Sequence, residues 1–144
     1  LSLKKIDLKS SEPEEYYNYS FELGIPQKNM DKLRNKLFGI ECNFGELNGI
    51  DFKKGCYVGQ ENTSRIKLKN KLSKRLLPVK IIEGSINEGD SILDKDLNIG
   101  KILIDKYYPF AIIKFTNDKF NFNSVYKVNN SKIKIIKPDW IDKI

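Results

Sequence analysis

Histidine is absent from this chain of 144 residues. Its absence excludes Ser-His-Asp and Cys-His catalytic pairs, and it excludes zinc and non-haem iron sites that use imidazole ligands. Cysteine is scarce, since Cys42 and Cys56 are the only two. Their spacing is neither that of a Cys-x-x-Cys redox or zinc site nor typical of a disulfide-rich secreted scaffold. We therefore expect a reducing compartment and no stably bound metal.

Long apolar runs are also missing, because no window approaches the ~18 apolar residues of a membrane span. The start at Leu1 has neither an initiator Met nor the apolar region of a signal peptide. Hydrophobic residues make up 40% of the chain and aromatic residues 11%, which is enough apolar mass for a packed core. We expect a soluble chain of one domain or two small ones, which is either a piece of a longer protein or a shortened one.

Positive charge is in excess, with 26 Lys and Arg against 19 Asp and Glu and a net charge of +7. A polyanion is therefore one natural partner, and a solubilising surface is the other interpretation. The densest basic run comprises Arg65, Lys67, Lys69, Lys71, Lys74 and Arg75. The charges at 65, 67, 69 and 71, with Ile66 and Leu68 between them and Leu72 after them, have the spacing of a half-exposed strand. No aromatic residue lies between Arg65 and Arg75 to stack on nucleic acid bases. Nucleic acid binding is thus the weaker interpretation.

The first third of the chain has helical features. Ser11–Glu14 has the pattern of a capping box with proline in the first turn, which predicts a helix through Leu23. Gly24 is placed to end that helix in the left-handed conformation, and Ile25-Pro26 prevents its continuation.

A second helix is predicted over residues 29–37, because Met30, Leu33 and Leu37 are spaced three and four apart. Five glycines follow between residues 39 and 59, which indicates a loop-rich stretch with one helical turn near Phe44–Leu47.

From about Lys74 the pattern changes to short β-rich runs separated by Gly, Asn and Asp. The predicted strands are Leu76–Ile82, Ser91–Leu93, Ile99–Ile104, Phe110–Phe115, Val125–Val128 and Lys132–Ile136. Six short strands at this spacing predict a small antiparallel barrel or sandwich. The boundary between the two parts is expected near residue 73.

The most distinctive segment is Lys54–Glu61, which reads K-G-C-Y-V-G-Q-E. Glycines at positions −1 and +3 from Cys56 allow a close backbone approach, and Lys54 precedes the thiol by two residues. A helix beginning near Gln60 would place Cys56 at an amide-rich end, where the dipole and the lysine both favour a thiolate. The alternative is that Cys56 is a small buried hydrophobe and that the glycines only form turns.

Residues 54–61 resemble the signature of the YgfZ-type folate-binding proteins, relatives of the glycine-cleavage T protein, an aminomethyltransferase. The surroundings are also similar, from Gly24-Ile25-Pro26 through Leu47–Phe52 to Thr63–Arg65, and the resemblance covers roughly residues 15–137. It implies an α+β fold. A partial aminomethyltransferase folate-binding-like domain is expected over residues 1–73, and a small antiparallel β-barrel over residues 74–144.

The resemblance implies that Cys56 is the functional thiol. Lys54 would lie beside it and hold the thiolate or a folate carboxylate. Gly55 and Gly59 would let the backbone approach the ligand closely.

The other signature residues keep two interpretations each. Tyr57 either stacks on a pterin or fills the core. Gln60 and Glu61 either orient the loop or form an ordinary first turn of a helix. Arg65 either binds the glutamate tail of folate or is a solvated charge at a strand edge. Cys42 is outside the signature and is expected to be structural.

The family likeness implies a folate-binding accessory protein that supports iron-sulfur cluster assembly or repair and is not a conventional enzyme. Its cofactor would be tetrahydrofolate or another folate, and its partners the iron-sulfur assembly machinery or client iron-sulfur proteins, with no membrane. The expected compartment is the cytoplasm, or the mitochondrial matrix in a eukaryote. Two alternatives stay open, a tetrahydrofolate-dependent aminomethyltransferase and a basic RNA-binding barrel.

Overall fold

The computed structural model describes residues 10–53, 73–115 and 120–143. Helix α1 spans Pro13–Glu22, and two short 3₁₀ helices span Met30–Leu33 and Asp139–Lys143. The strands are β1 Lys74–Glu83, β2 Ser91–Asp94, β3 Leu97–Ile104, β4 Phe110–Lys114, β5 Tyr126–Val128 and β6 Ser131–Ile135. In these three ranges no helix has the length and apolar character needed to cross a membrane.

The six strands form a closed antiparallel barrel in the order β1-β4-β3-β2-β5-β6. Strand β1 is the longest, and its first half pairs with β4 while its second half pairs with β6. Strands β3 and β4 approach closely at Gly100, where an added Cβ would lie 2.5 Å from the carbonyl oxygen of Ile112. The six predicted strands are confirmed, and each end lies within two residues of its predicted position. Of the two architectures expected, a barrel or a sandwich, the structure has the barrel.

Alternate residues of each strand point into the barrel, and most of these inward residues are aliphatic. In β1 the inward residues after Arg75 are Leu77 and Val79, and in β4 they are Ala111 and Ile113. This core also contains isoleucines from β2, β3 and β6 and two residues of β5, Tyr126 and Val128. Trp140 joins it from the C-terminal 3₁₀ helix.

A second apolar cluster lies on the outside of the barrel. Outward residues of β1, β3 and β4 are covered by side chains from residues 10–53. The covered residues are Leu76, Leu103, Ile104 and Phe110, and the covering residues include Phe21, Leu33, Leu37 and Cys42. The segment before the signature is therefore packed onto the barrel.

Ion pairs at the first 3₁₀ helix add to this packing. Lys32 contacts Asp105, which follows β3, and its Nζ also lies 3.3 Å from Oε2 of Glu88. The Nζ of Lys36 lies 2.6 Å from Oε1 of the same glutamate. Hydrogen bonding to Lys32 holds the pKa of Asp105 below its ordinary value.

Helix α1 ends as predicted and begins differently. Gly24 has a φ of +75°, which confirms the left-handed residue after the helix. The N-cap is Glu12 and not Ser11, and no side-chain hydrogen bond caps the helix. The capping box is therefore wrong, because the chain enters the helix one residue after the position that the pattern indicates.

The second predicted helix, over residues 29–37, is wrong, because only Met30–Leu33 are helical and they form one turn of 3₁₀ helix. Asn29 and Asn35 adopt left-handed φ values of 58° and 60°, so neither position continues a right-handed helix. Leu33 and Leu37 nevertheless pack against the barrel, so the apolar periodicity marked a buried face correctly. In the stretch near Phe44–Leu47, turns replace the expected helix, with one helical hydrogen bond from the Leu47 amide to the Asn43 carbonyl.

Residues 10–53 are the described part of the expected domain over residues 1–73. They form α1, the first 3₁₀ helix and a run of turns. The aminomethyltransferase-like domain and the boundary at residue 73 stay predictions.

Candidate functional site

The signature lies outside the described residues. This applies to every predicted site residue, namely Lys54, Gly55, Cys56, Tyr57, Gly59, Gln60, Glu61 and Arg65. The structure does describe the two flanks of the segment that contains them, which end at Lys53 and resume at Ser73.

A buried ion pair joins these two flanks. The Nη2 atom of Arg75, at the start of β1, lies 2.8 Å from the Oε1 atom of Glu46, in the run of turns before the signature. The exposed fraction is 10% for the Arg75 side chain and 22% for the Glu46 side chain. The attraction between two charges so little exposed to water is weakly screened. The pair therefore holds together residues 46 and 75, which lie on the two sides of the signature-bearing segment.

Asn43 reinforces the same junction. Its Nδ2 donates to the Leu76 carbonyl at 2.7 Å, and its Oδ1 accepts from Nη1 of Arg75 at 3.2 Å. The Leu76 amide in turn donates to the Glu41 carbonyl at 2.8 Å. Asn43 is fully buried and has a left-handed φ of 63°, which asparagine tolerates better than most residues. Its amide therefore links the flank before the signature to a backbone carbonyl and a side chain at the start of β1.

Trp140 covers the guanidinium group from the C-terminal side. The ring centroid lies 5.8 Å from Cζ of Arg75, a cation–π distance, and the indole N–H donates to the Leu23 carbonyl at 2.8 Å. Gly24 packs beside it, because an added Cβ would lie 3.3 Å from Cγ of Pro138 and 3.6 Å from the indole ring. The corner after α1, the C-terminal 3₁₀ helix and the start of β1 thus meet at one end of the barrel.

One carboxylate oxygen at this junction has unused hydrogen-bonding capacity. The Oε2 atom of Glu46 is buried, and within the described residues it has no hydrogen-bond partner. Buried polar atoms normally have a hydrogen-bond partner. This oxygen can therefore accept a hydrogen bond from an N–H or O–H group of a further molecule or residue.

Cys42 has the properties of a structural thiol. It is half-buried and packs against the apolar cluster outside the barrel. Burial, with a smaller contribution from the Glu41 charge, raises its pKa from 9.0 to about 11. A protonated thiol is a poor nucleophile and a poor metal ligand, which agrees with the structural role expected for Cys42.

The sequence pattern does not predict this polar junction, since Arg75 stands there only as one charge of the densest basic run. Arg75 instead faces inward and is buried. A signal was available: Arg75, Leu77 and Val79 alternate along β1, which places the arginine on the same face as the core. Lys74 is exposed, and the rest of that run lies in residues 54–72, outside the described residues.

Comparison with known proteins finds relatives for part of the chain. No protein-family model matches it. The iron-sulfur cluster assembly factor IBA57 homolog, mitochondrial, of Neurospora crassa is 44% identical over 63 residues, which are 44% of this chain and 14% of that protein. The homolog of the same name from Dictyostelium discoideum is 38% identical over 86 residues, 59% of this chain and 21% of that protein.

The iron-sulfur cluster assembly factor IBA57, mitochondrial, of Mus musculus is 38% identical over 68 residues, 47% of this chain and 19% of that protein. The matched segments therefore span about a fifth or less of these three relatives. Over that part of its length, the chain is similar to IBA57 iron-sulfur cluster assembly factors.

Proposed function

We propose that the chain takes part in the assembly or repair of iron-sulfur clusters as an accessory protein. The observation that carries this proposal is its similarity to three proteins whose names state that role. The same names include the word mitochondrial, which supports a mitochondrial compartment, and we propose the matrix if the source is a eukaryote. Its partners would be the iron-sulfur assembly machinery or client iron-sulfur proteins.

The finer proposal is that Cys56 is the working group. The segment Lys54–Glu61 carries a thiol between two glycines with a cation two residues away, a pattern that favours a reactive thiolate. An iron-sulfur cluster normally takes four protein ligands, so a single thiolate would contact the cluster transiently while a partner supplies the others.

The junction of Arg75, Glu46 and Asn43 supports this proposal indirectly. Because the ion pair fixes residues 46 and 75 next to each other, the ends of the signature-bearing segment are already held together. Bringing the two ends of a chain segment together costs conformational entropy. Because the ion pair has already brought these ends together, less conformational entropy would be lost when Cys56 binds a partner.

We also propose that the signature binds a folate such as tetrahydrofolate. Lys54 and Arg65 would bind its carboxylates, Tyr57 would stack on the pterin, and Gly55 and Gly59 would allow the close approach. Gln60 and Glu61 would orient the loop. Among the described residues, one group fits a pterin chemically: the unpartnered acceptor Oε2 of Glu46 suits the N–H donors of the pterin ring.

The thiol proposal is tested by replacing each cysteine in turn in the source organism. Cys56→Ala is expected to lower the activities of iron-sulfur enzymes without lowering the amount of this protein. Cys42→Ala is the matched control, since Cys42 is the other cysteine of the chain, and it should leave those activities close to the wild-type level. Equal activities in the two variants would contradict the role of Cys56.

The folate proposal has a separate test. Tetrahydrofolate is titrated into the purified chain under anaerobic conditions and the heat of binding is measured. Lys54→Ala and Arg65→Ala should weaken binding at least tenfold, whereas Lys95→Ala, in the exposed β2–β3 turn, should not. An absence of binding to the wild-type chain would reject the folate site and leave the iron-sulfur proposal standing.

A further inference from the structure

Four lysines point outward from neighbouring strands of the barrel. Lys80 is on β1, Lys132 and Lys134 are on β6, and Lys127 is on β5. Lys80 and Lys134 are direct register partners, and so are Lys127 and Lys132. We call these four residues the lysine wall.

The charge of the lysine wall is largely uncompensated. Like charges directly opposite each other on adjacent strands destabilise a sheet, and this wall contains two such pairs. Lys132 has a carboxylate partner, Oε2 of Glu83 at 2.7 Å. Among the described residues, Lys80, Lys127 and Lys134 have none, although Lys32 and Lys36, in the segment that packs outside the barrel, do. Such an arrangement favours binding of a partner that carries negative charge.

An open cavity adjoins the lysine wall. Its volume is about 640 Å³, and it is lined by Val125, Tyr126, Lys127, Asn130, Ser131 and Lys132. The side chain of Val125 is 55% exposed. An apolar recess with ammonium groups at its rim is typical of a surface that binds a protein, where apolar contacts supply affinity and charges supply orientation.

We propose that the lysine wall is the docking surface for an acidic protein segment in an extended conformation. Lys132 and Lys134 are two residues apart on one strand, so their Cα atoms repeat at about 6.6 Å. Alternate carboxylates of an extended acidic segment repeat at the same distance and would face these two lysines. An apolar side chain of that segment would enter the recess beside Val125.

The same observations disfavour RNA. Proteins that bind single-stranded nucleic acid combine positive charge with exposed aromatic rings on which bases stack. In the part of the chain that the structure describes, the exposed aromatic side chains are Tyr16, Tyr19, Phe38, Phe44 and Tyr107. These residues lie outside β1, β5 and β6. The surface is also separate in sequence from Cys56, so this inference does not depend on the iron-sulfur proposal.

The test uses the full chain and a fluorescein-labelled peptide in which Glu alternates with Ser, with one central Glu replaced by Leu. Fluorescence anisotropy measures the Kd at low and moderate NaCl concentrations. The wall variant is Lys80→Gln, Lys127→Gln and Lys134→Gln in combination. The matched control is Lys74→Gln, Lys101→Gln and Lys114→Gln, which removes the same charge around a smaller cavity of about 240 Å³.

We expect the wall variant to raise the Kd at least tenfold and the control variant to raise it less than threefold. Thermal unfolding should show both variants folded, because each loses like-charge repulsion and no core contact. Equal losses in the two variants would mean that net charge alone drives binding, and the proposal would fail. It would also fail if the wild-type chain did not bind the peptide, or if it bound an oligouridylate of equal charge more tightly.

Discussion

Arg75 and Glu46 form a buried ion pair across the signature-bearing segment, with 2.8 Å between Nη2 and Oε1. The arginine begins the first barrel strand, and the glutamate belongs to the turns packed outside the barrel. The pair therefore links the barrel to the segment that leads into residues 54–61.

Arg75→Met should destabilise the chain by about 3 kcal/mol, because it leaves the Glu46 carboxylate buried without its cation. The free energy of unfolding is measured by urea denaturation followed by circular dichroism. Lys132→Met is the matched control, since it breaks an ion pair whose two side chains are 61% and 64% exposed, and little change is expected there. Similar losses in the two variants would contradict the structural importance of the Arg75 pair.

Cys42 should alkylate very slowly near neutral pH. Its pKa is raised to about 11 from 9.0, so the thiolate population at pH 8 is about 100-fold below that of an ordinary cysteine. The measurement is the rate of iodoacetamide labelling against pH in a Cys56→Ser variant, in which Cys42 is the remaining thiol. An apparent pKa close to 9 would show that the thiol is not shielded by the outer cluster.

The ion pair between Lys32 and Asp105 should make stability fall at acid pH. Because the pKa of Asp105 is lowered in the folded chain, its contribution is present above its ordinary pKa and is lost as the pH falls through the lowered value. The Tm of the wild type should therefore exceed that of Asp105→Asn at pH 6, and the difference should shrink below about pH 4. Asp96→Asn, in the exposed β2–β3 turn, is the control and should show no comparable difference.

Gly100→Ala should destabilise the barrel by about 2 kcal/mol, since the new Cβ would lie 2.5 Å from the Ile112 carbonyl oxygen and 2.9 Å from Cδ1 of Ile113. Gly45→Ala is the control, because its Cβ would meet Phe52 at an ordinary 3.5 Å. Urea denaturation of both variants gives the comparison. A Gly100 variant as stable as the control would indicate that β3 and β4 separate readily.

The strands were predictable because strand signals are local. Alternating apolar residues define the two faces of each strand, and the turn at Asn129-Asn130 is marked by asparagine, with Asn129 at a φ of 51°. The helix predicted over residues 29–37 is wrong because apolar periodicity alone does not establish a continuous helix. Asn29 and Asn35 both take left-handed conformations there, while Leu33 and Leu37 keep the apolar spacing of a helix.

The pairing of Arg75 with Glu46 could not be predicted from local patterns. The alternation of Arg75 with Leu77 and Val79 marks the arginine as inward-facing, but Glu46 is far away in sequence and no pattern connects the two residues. Only the packing of the turns against the end of the barrel brings them to hydrogen-bonding distance. The signature, in contrast, could be recognised from the sequence because its eight residues are consecutive.

Closure of the barrel determines how a partner can attach. Among the described residues each of the six strands pairs with two neighbours, which leaves little free strand edge for an incoming chain to extend. An associating protein must instead be recognised through side chains, and changes to those side chains can alter partner choice while the backbone stays the same. Closure of the barrel also protects the chain against edge-to-edge aggregation when it associates with other proteins.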